Sequence, residues 1–191
     1  MKLILASTSR YRKELLSRLQ LAFDSVAPDV DETPLTNEQP TETARRLALA
    51  KAQAVGHRHP GALVVGSDQV AICEGRRLDK PGNHATAVGQ LRHASGRSVV
   101  FHTAVVLLNS RSGHVQAELV PTETRFRRLS DVEIERYLQA EPAYDCAGSA
   151  KSEALGISLL EKIESPDPTA LIGLPLIALC AMLRNEGFSV P

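Results

Sequence analysis

Ser7, Arg12, Lys13, Glu32, Lys51, Asp68, Lys80, Ser149, Lys151 and Glu153 are the polar residues that fall at the expected ends of secondary-structure elements. Several cations with two or three carboxylates suit a phosphorylated substrate and a divalent metal. The cations neutralise phosphate oxygens, and the carboxylates hold Mg²⁺ or Mn²⁺, which prefer oxygen ligands. Asp68 stands out, because G-S-D-Q-V at Gly66–Val70 follows the apolar run Ala62–Val65. A short continuous apolar run reads as a buried strand, which places Asp68 where that strand leaves the core. In open α/β sheets the carboxyl ends of strands border the ligand crevice. Taken singly, each of these residues reads as a solvated surface charge, and Asp68 as the start of an ordinary loop; it is the set that points to chemistry. The familiar phosphate cradles are absent: there is no Walker A motif and no G-x-G-x-x-G after a strand.

Strands and helices that would carry these side chains follow from periodicity. Lys2–Ala6 reads as a first strand, S-T-S as a turn, and Arg10 to about Leu19 as a helix with Leu15, Leu16 and Leu19 inward. Such a βα turn points N–H groups and hydroxyls above the sheet edge. A second strand is expected within Leu21–Ala27, then an acidic, proline-rich loop over Pro28–Pro40. In the helix expected over Thr41–Val55, Lys51 shares the inward stripe of Ala44, Leu47, Ala48 and Val55. A lysine there either snorkels to the rim or is aimed at an anion. Further along, a short strand runs to Cys73, a turn lies at Glu74–Gly75, and Asn83 caps a helix to about His93. Arg97–Leu108 and Gly113–Arg127 form a hairpin across N-S-R-S-G, and Ser130-x-x-Glu133 is a capping box. Tyr144–Glu153 reads as a binding loop, Ile157–Ile163 as a strand and Leu174–Asn185 as a last helix. The alternation of strands and helices makes the chain α/β.

Composition narrows the class. At 191 residues the chain suits one ample domain or two small lobes around a cleft. Lys plus Arg number 22 and Asp plus Glu 22, so the net charge is zero. That argues against broad nucleic-acid or membrane binding, which needs a basic surplus. Four Phe, three Tyr and no Trp also offer few stacking platforms for nucleic acid. Cys73, Cys146 and Cys180 are odd in number and far apart, which fits a reducing compartment and neither a disulfide framework nor a structural zinc site. Leu3–Ala6 is too short for a signal-peptide core, and Leu171–Leu183, broken by Gly173 and Pro175, is too short to span a bilayer. The expectation is a cytoplasmic soluble protein.

Several motifs, in order along the chain, resemble the Maf family of nucleoside triphosphate pyrophosphatases. They are L-A-S-T-S-R-Y-R-K-E-L-L at Leu5–Leu16, D-V-D-E-T at Asp29–Thr33, A-x-x-K-A at Ala48–Ala52, G-S-D-Q-V, D-K-P at Asp79–Pro81 and G-L-P-L at Gly173–Leu176. S-D-Q and C-A-G-S-A-K-S-E are similar to the branch acting on 7-methyl-GTP; the branch acting on dTTP and UTP carries A-D-T and a different loop. The resemblance implies a single domain over 1–191 of the Maf/Ham1 (ITPase-like) α/β fold: an elongated mixed sheet flanked by helices, with two lobes around a central cleft. A homodimer is among its implications, since members are often dimeric. It implies cleavage between the α- and β-phosphates with a divalent cation. By position, Asp68 is the acceptor of the water proton, Glu32 and Asp68 serve the metal, and Ser7, Arg12, Lys51 and Lys80 clamp the triphosphate. Lys13 is a weaker fifth member, because the family usually reads Arg there and Lys lacks the bidentate fork.

Base choice has a physical rationale within that resemblance. Guanine presents two adjacent donors, N1–H and the 2-amino group, and the Glu153 carboxylate can accept from both. Methylation at N7 makes the ring cationic, which favours an aromatic face at Tyr11, worth about 0.5–2 kcal/mol. Gln69, beside the acid, is the third residue linked to base choice. The rival readings are a pyrophosphatase for dTTP, UTP or a broad set of non-canonical nucleotides, and a nucleotide-binding regulator of cell division. Binding alone would not require Asp68.

Overall fold

The structure is a computed structural model that describes residues 1–190. Its elements are β1 (Lys2–Ala6), α1 (Arg10–Ser17), β2 (Phe23–Val26), α2 (Pro40–Gly56), β3 (Ala62–Cys73), β4 (Arg76–Arg77), α3 (His84–Ala94), β5 (Ser98–Asn109), β6 (Val115–Phe126), α4 (Asp131–Ala140), β7 (Leu160–Glu164) and α5 (Leu176–Asn185). The strands hydrogen-bond in the order β2-β1-β3-β5-β6-β7, with β4 beside β3. β1 is parallel to β2 and β3, whereas β4 on β3 and β7 on β6 are antiparallel. The fold is therefore α/β with a mixed sheet, as the element alternation predicts. No helix among the described residues is long and apolar enough to cross a membrane.

The chain divides into two compact units. The first comprises Met1–Gln69, Thr103–Val120 and Asp167–Pro191. Side chains alternate across a strand, and here the alternation sorts helices to faces. Leu3, Leu5, Leu63, Val65, Val105 and Leu107 pack with Leu15 and Leu16 of α1 and with Leu179, Met182 and Leu183 of α5. Gly66, one step out of phase with Val65, meets α2. A Cβ built on Gly66 would lie 2.1 Å from the Ala48 carbonyl oxygen and 2.9 Å from the Ala52 nitrogen. Only a residue without a side chain lets α2 come this close. The helix itself starts well: Pro40 occupies its first turn, and the Glu42 carboxylate accepts from the Gln39 N–H at 3.0 Å.

The second unit comprises Val70–His102 and Pro121–Pro166. The Asn83 side chain accepts from the Thr86 N–H at 2.9 Å, and the Ser130/Glu133 capping box opens α4, both as expected. The Tyr144–Glu153 segment is not a free loop. Ser149 is buried and donates to Gln90 Oε1 at 2.6 Å, while the Lys151 N–H donates to the Tyr137 hydroxyl at 3.1 Å. Burial pushes the Tyr137 phenol well above its ordinary value, so it stays protonated.

Two expectations are corrected. β3 does not end before Asp68 but runs on to Cys73, so the acid sits within a 12-residue strand. Its parallel partner β1 pairs only as far as Leu5↔Val65. Asp68 thus lies past the carboxyl end of β1 instead of at the end of its own strand. The strand expected over Ile157–Ile163 is β7 at Leu160–Glu164 only, because Leu155–Leu159 coils into a 3₁₀ turn. Gly156 there packs against the Lys151 backbone, with its would-be Cβ 2.5 Å from the Lys151 nitrogen.

Gly66→Ala should destabilise by about 1–3 kcal/mol or more through overpacking against α2. Gly89→Ala, on the exposed side of α3 with nothing within 4 Å of its Cβ position, should instead stabilise by about 0.5–1 kcal/mol. Urea denaturation midpoints of the two variants check both signs.

Candidate active site

Close approach of α2 to Gly66 carries a charge into the first unit's interior. Lys51 follows Ala48 by three residues and precedes Ala52, the two positions that meet Gly66, so its side chain leaves the helix beside β3. Its Nζ donates to Asp68 Oδ1 and lies against Glu32 Oε1, each at 2.7 Å. Lys51 is 4% exposed and Asp68 6% exposed, whereas Glu32 is open to solvent. Of the two options for a lysine on an inward stripe, the structure takes the second: the ammonium is aimed at carboxylates and does not snorkel.

Glu32 reaches Lys51 from the loop before α2, and a second charge cluster fixes that loop. The largely buried Glu38 side chain accepts from Arg46, from the Thr43 hydroxyl at 2.9 Å and from the Leu35 N–H at 3.0 Å. Arg46 also donates to the Thr33 carbonyl at 3.2 Å. The hydrogen bonds from Arg46 hold the Glu38 carboxyl at a pKa of about 2.

Arg12 completes the cluster. Ser9 caps α1, its side chain accepting from the Arg12 N–H, and the Ser9 N–H donates to Ser7 Oγ at 3.1 Å. The Arg12 side chain then runs to the Gly173 carbonyl, to which Nε donates at 2.8 Å. Burial lowers the Arg12 pKa, and the attraction of Asp68 and Glu32 opposes that shift; the guanidinium stays charged. Arg12, Lys51, Asp68 and Glu32 together form a cluster of two cations and two anions. Ser7 is buried at the end of β1, its backbone carbonyl accepting from Ser25 Oγ at 2.8 Å.

The remaining expected residues are placed as follows. Lys13 is exposed and turned about 100° round α1 from Arg12, lining a shallow groove with Arg10, Glu14, Ser17 and Phe23. Tyr11 is half-buried and carries the Arg10 guanidinium over its ring, 4.7 Å from the centroid. Gln69 donates through Nε2 toward Thr103 Oγ1 at 2.9 Å and the Ala170 and Leu171 carbonyls at 3.0 Å. Lys80 and Glu153 belong to the second unit, where both are exposed. Ser67 is a participant that sequence reasoning missed: its hydroxyl donates to the Gly173 carbonyl at 2.9 Å. The G-L-P-L motif was the signal pointing to that carbonyl.

A divalent cation fits this donor set. Asp68 and Glu32 bring hard carboxylate oxygens to one nitrogen, and Mg²⁺ is held by one or two carboxylates together with substrate phosphates and water. Among the described residues there is no group of three His, Cys, Asp or Glu side chains that would make a protein-only metal cage. The arrangement suits a metal that arrives with a phosphorylated substrate.

The chain is similar to known proteins along nearly its whole length. The family model described as "Maf-like protein" matches residues 2–186. A protein of Aromatoleum aromaticum named 7-methyl-GTP pyrophosphatase is 60% identical over 190 residues, covering 100% of this chain and 98% of its own. Proteins of the same name from Thiobacillus denitrificans and Cupriavidus metallidurans are 60% and 55% identical, covering 98% and 97% of this chain and 94% of each of theirs.

The depressed Glu38 carboxyl gives a pH signature. A carboxylate whose folded pKa lies below the unfolded value of about 4.3 contributes stability in full above that value, and loses it as pH falls through the folded one. Wild type should therefore exceed Glu38→Gln in stability by a constant margin above about pH 5. The margin should shrink steadily toward pH 2, read from denaturation midpoints across that range.

Proposed function

This chain belongs to the Maf family, and from that premise we propose that it hydrolyses 7-methyl-GTP to 7-methyl-GMP and pyrophosphate. The observation that carries the reading is the buried Asp68–Lys51 pair with Glu32 at its open side and Arg12, set in a chain so similar, end to end, to proteins named 7-methyl-GTP pyrophosphatase. Removal of this modified nucleotide from the pool is the corresponding role.

Asp68 is the proton acceptor in this reading. Lys51 fixes its Oδ1, which leaves Oδ2 to take the proton of the attacking water. Lys51 and the two Nη groups of Arg12 face the triphosphate, where charge that grows in the transition state is stabilised by donors already in place. Arg12 is suited to a forked contact because its Nε alone is engaged by Gly173. The Ser7 hydroxyl, at the α1 N-terminus, adds a neutral donor. Asp68 and Glu32 would hold Mg²⁺ or Mn²⁺, which when bound acidifies water and neutralises phosphate charge. Lys13 and Lys80 are proposed as further cations for the phosphates.

Base choice is assigned to Glu153, as acceptor for N1–H and the 2-amino group, and to Tyr11, with Gln69 beside the acid. Support for Tyr11 comes from its existing partner: the ring already carries a cation, the Arg10 guanidinium, on its face. An N7-methylated purine is a cation of the same flat, delocalised kind.

Pyrophosphate release with Mg²⁺ or Mn²⁺, measured across 7-methyl-GTP, GTP, dTTP, UTP and CTP, tests the reading. The highest kcat/KM is expected for 7-methyl-GTP, and Asp68→Asn should lower kcat by about 10²–10⁴-fold while substrate still binds. Preference for dTTP or UTP would sink the base assignment and spare the chemistry. Undiminished turnover by Asp68→Asn would remove the acid from its role, and no release from any nucleotide would favour a nucleotide-binding regulator.

A further inference from the structure

The Arg12 guanidinium takes its direction from a backbone oxygen, that of Gly173, and the same oxygen accepts from Ser67. The direction of that carbonyl is set by the segment from Asp167 to Ile177. Gly173 has φ of +119°, a conformation side-chain-bearing residues rarely adopt. Its N–H donates to the Ala170 carbonyl at 2.9 Å. Around this turn lies a knot of side-chain bonds. Asp167 is 2% exposed; its Oδ1 accepts from the Thr169 N–H at 3.0 Å and the Thr169 hydroxyl at 2.6 Å, and its Oδ2 accepts from the Ile177 N–H at 2.7 Å. Thr169 Oγ1 in turn accepts from the Leu176 N–H at 2.8 Å. The residues on both sides of Gly173 are thus tied to one carboxylate and one hydroxyl. Gln69 and Thr103 fasten the knot to the sheet through the Ala170 carbonyl.

We infer that Thr169 and Asp167 are positioning residues for the reaction: by holding the Gly173 carbonyl they orient Arg12 toward the triphosphate. The inference rests on the phosphate-binding role of Arg12 proposed above. The competing role for the knot is purely structural. Asp167 and Thr169 satisfy the first N–H groups of α5, where Pro175 at the N-cap position makes no side-chain bond. A cap alone affects stability and leaves phosphate affinity untouched, so the two roles separate by experiment.

Thr169→Val keeps the shape and removes the hydroxyl, whereas Thr169→Ser keeps the hydroxyl. Binding of inorganic tripolyphosphate with Mg²⁺, a probe without a base, is measured by calorimetry on the full chain at a temperature where every variant is folded by circular dichroism. Thr169→Val should weaken binding roughly tenfold, and Thr169→Ser should restore it. In an Arg12→Ala background Thr169→Val should add no further loss, since the residues act as one unit. Should Thr169→Val not fold, Ser67→Ala, which removes the other donor to the Gly173 oxygen, takes its place in the same cycle. A lowered melting temperature with unchanged tripolyphosphate affinity, or an equal loss in both backgrounds, would overturn the inference and leave a helix cap. Equal binding by wild type and Arg12→Ala would remove the phosphate role of Arg12 itself, and the positioning role with it.

Discussion

The ammonium of Lys51 is buried between Asp68 and Glu32, and the packing of the first unit is arranged around that contact. Taking a charge out of water costs several kcal/mol after relaxation, and opposite charge repays this only in good geometry. Here the geometry demands three separate conditions. α2 must come close enough for Lys51 to reach β3, which Gly66 allows by having no side chain. Asp68 must face α2, which the phase of β3 decides. Glu32 must be brought back from the loop, which Glu38 and Arg46 accomplish by tying the Leu35 and Thr33 backbone to α2. Loss of either of the first two strands a buried charge, and loss of the third leaves Lys51 with Asp68 alone. Buried ion pairs are poor investments for stability alone, so an arrangement maintained at three points is better understood as a poised chemical group.

Three consecutive residues of β3 connect this cluster to the opposite layer of the unit. Side chains alternate along a strand, so Asp68 turns to α2 while Ser67 and Gln69 turn to the 167–177 turn. Arg12 joins the layers, its backbone in α1, its Nε on Gly173 and its charge felt by Asp68 and Glu32. The acid, the lysine and the arginine are in this way referred to a single strand, which stiffens their mutual distances. Side chains set on strands and helices are held more closely than ones presented by loops.

What could be read from the sequence was whatever is encoded locally. Periodicity located the helices to within a few residues, the capping residues Asn83 and Ser130 were visible as such, and the inward stripe exposed Lys51 as a residue needing explanation. Asp68 is visible because it breaks an apolar run, but the run stops well short of the strand's end: polarity at Ser67, Asp68 and Gln69 imitates a loop when those side chains are satisfied by distant partners. The bond from Arg12 to Gly173 spans 161 positions in sequence and that from Ser67 to Gly173 spans 106. No local pattern signals either. The same holds for Ser149, which reads as a site residue by composition and is a buried donor to Gln90. Nor does a run such as Ile157–Ile163 disclose that Gly156 must tuck against the Lys151 backbone and bend the chain first.

The balance of charge in the cluster bears on how a triphosphate is received. Two cations facing two anions are neutral before substrate arrives, and each cation already has a partner. In the proposed reading a triphosphate would therefore not meet free positive charge: it would share Lys51 with Asp68 and Glu32 and take up what Gly173 leaves of Arg12. Sharing of this kind would be favoured when the anion comes with a compensating cation, which Asp68 and Glu32 would hold and whose higher charge would offset theirs. A bare polyphosphate would leave two carboxylates and its own oxygens in mutual repulsion. In the proposed reading, substrate and divalent metal would thus enter most favourably together, with Lys51 still on Asp68 Oδ1 and Oδ2 the oxygen assigned to the water proton.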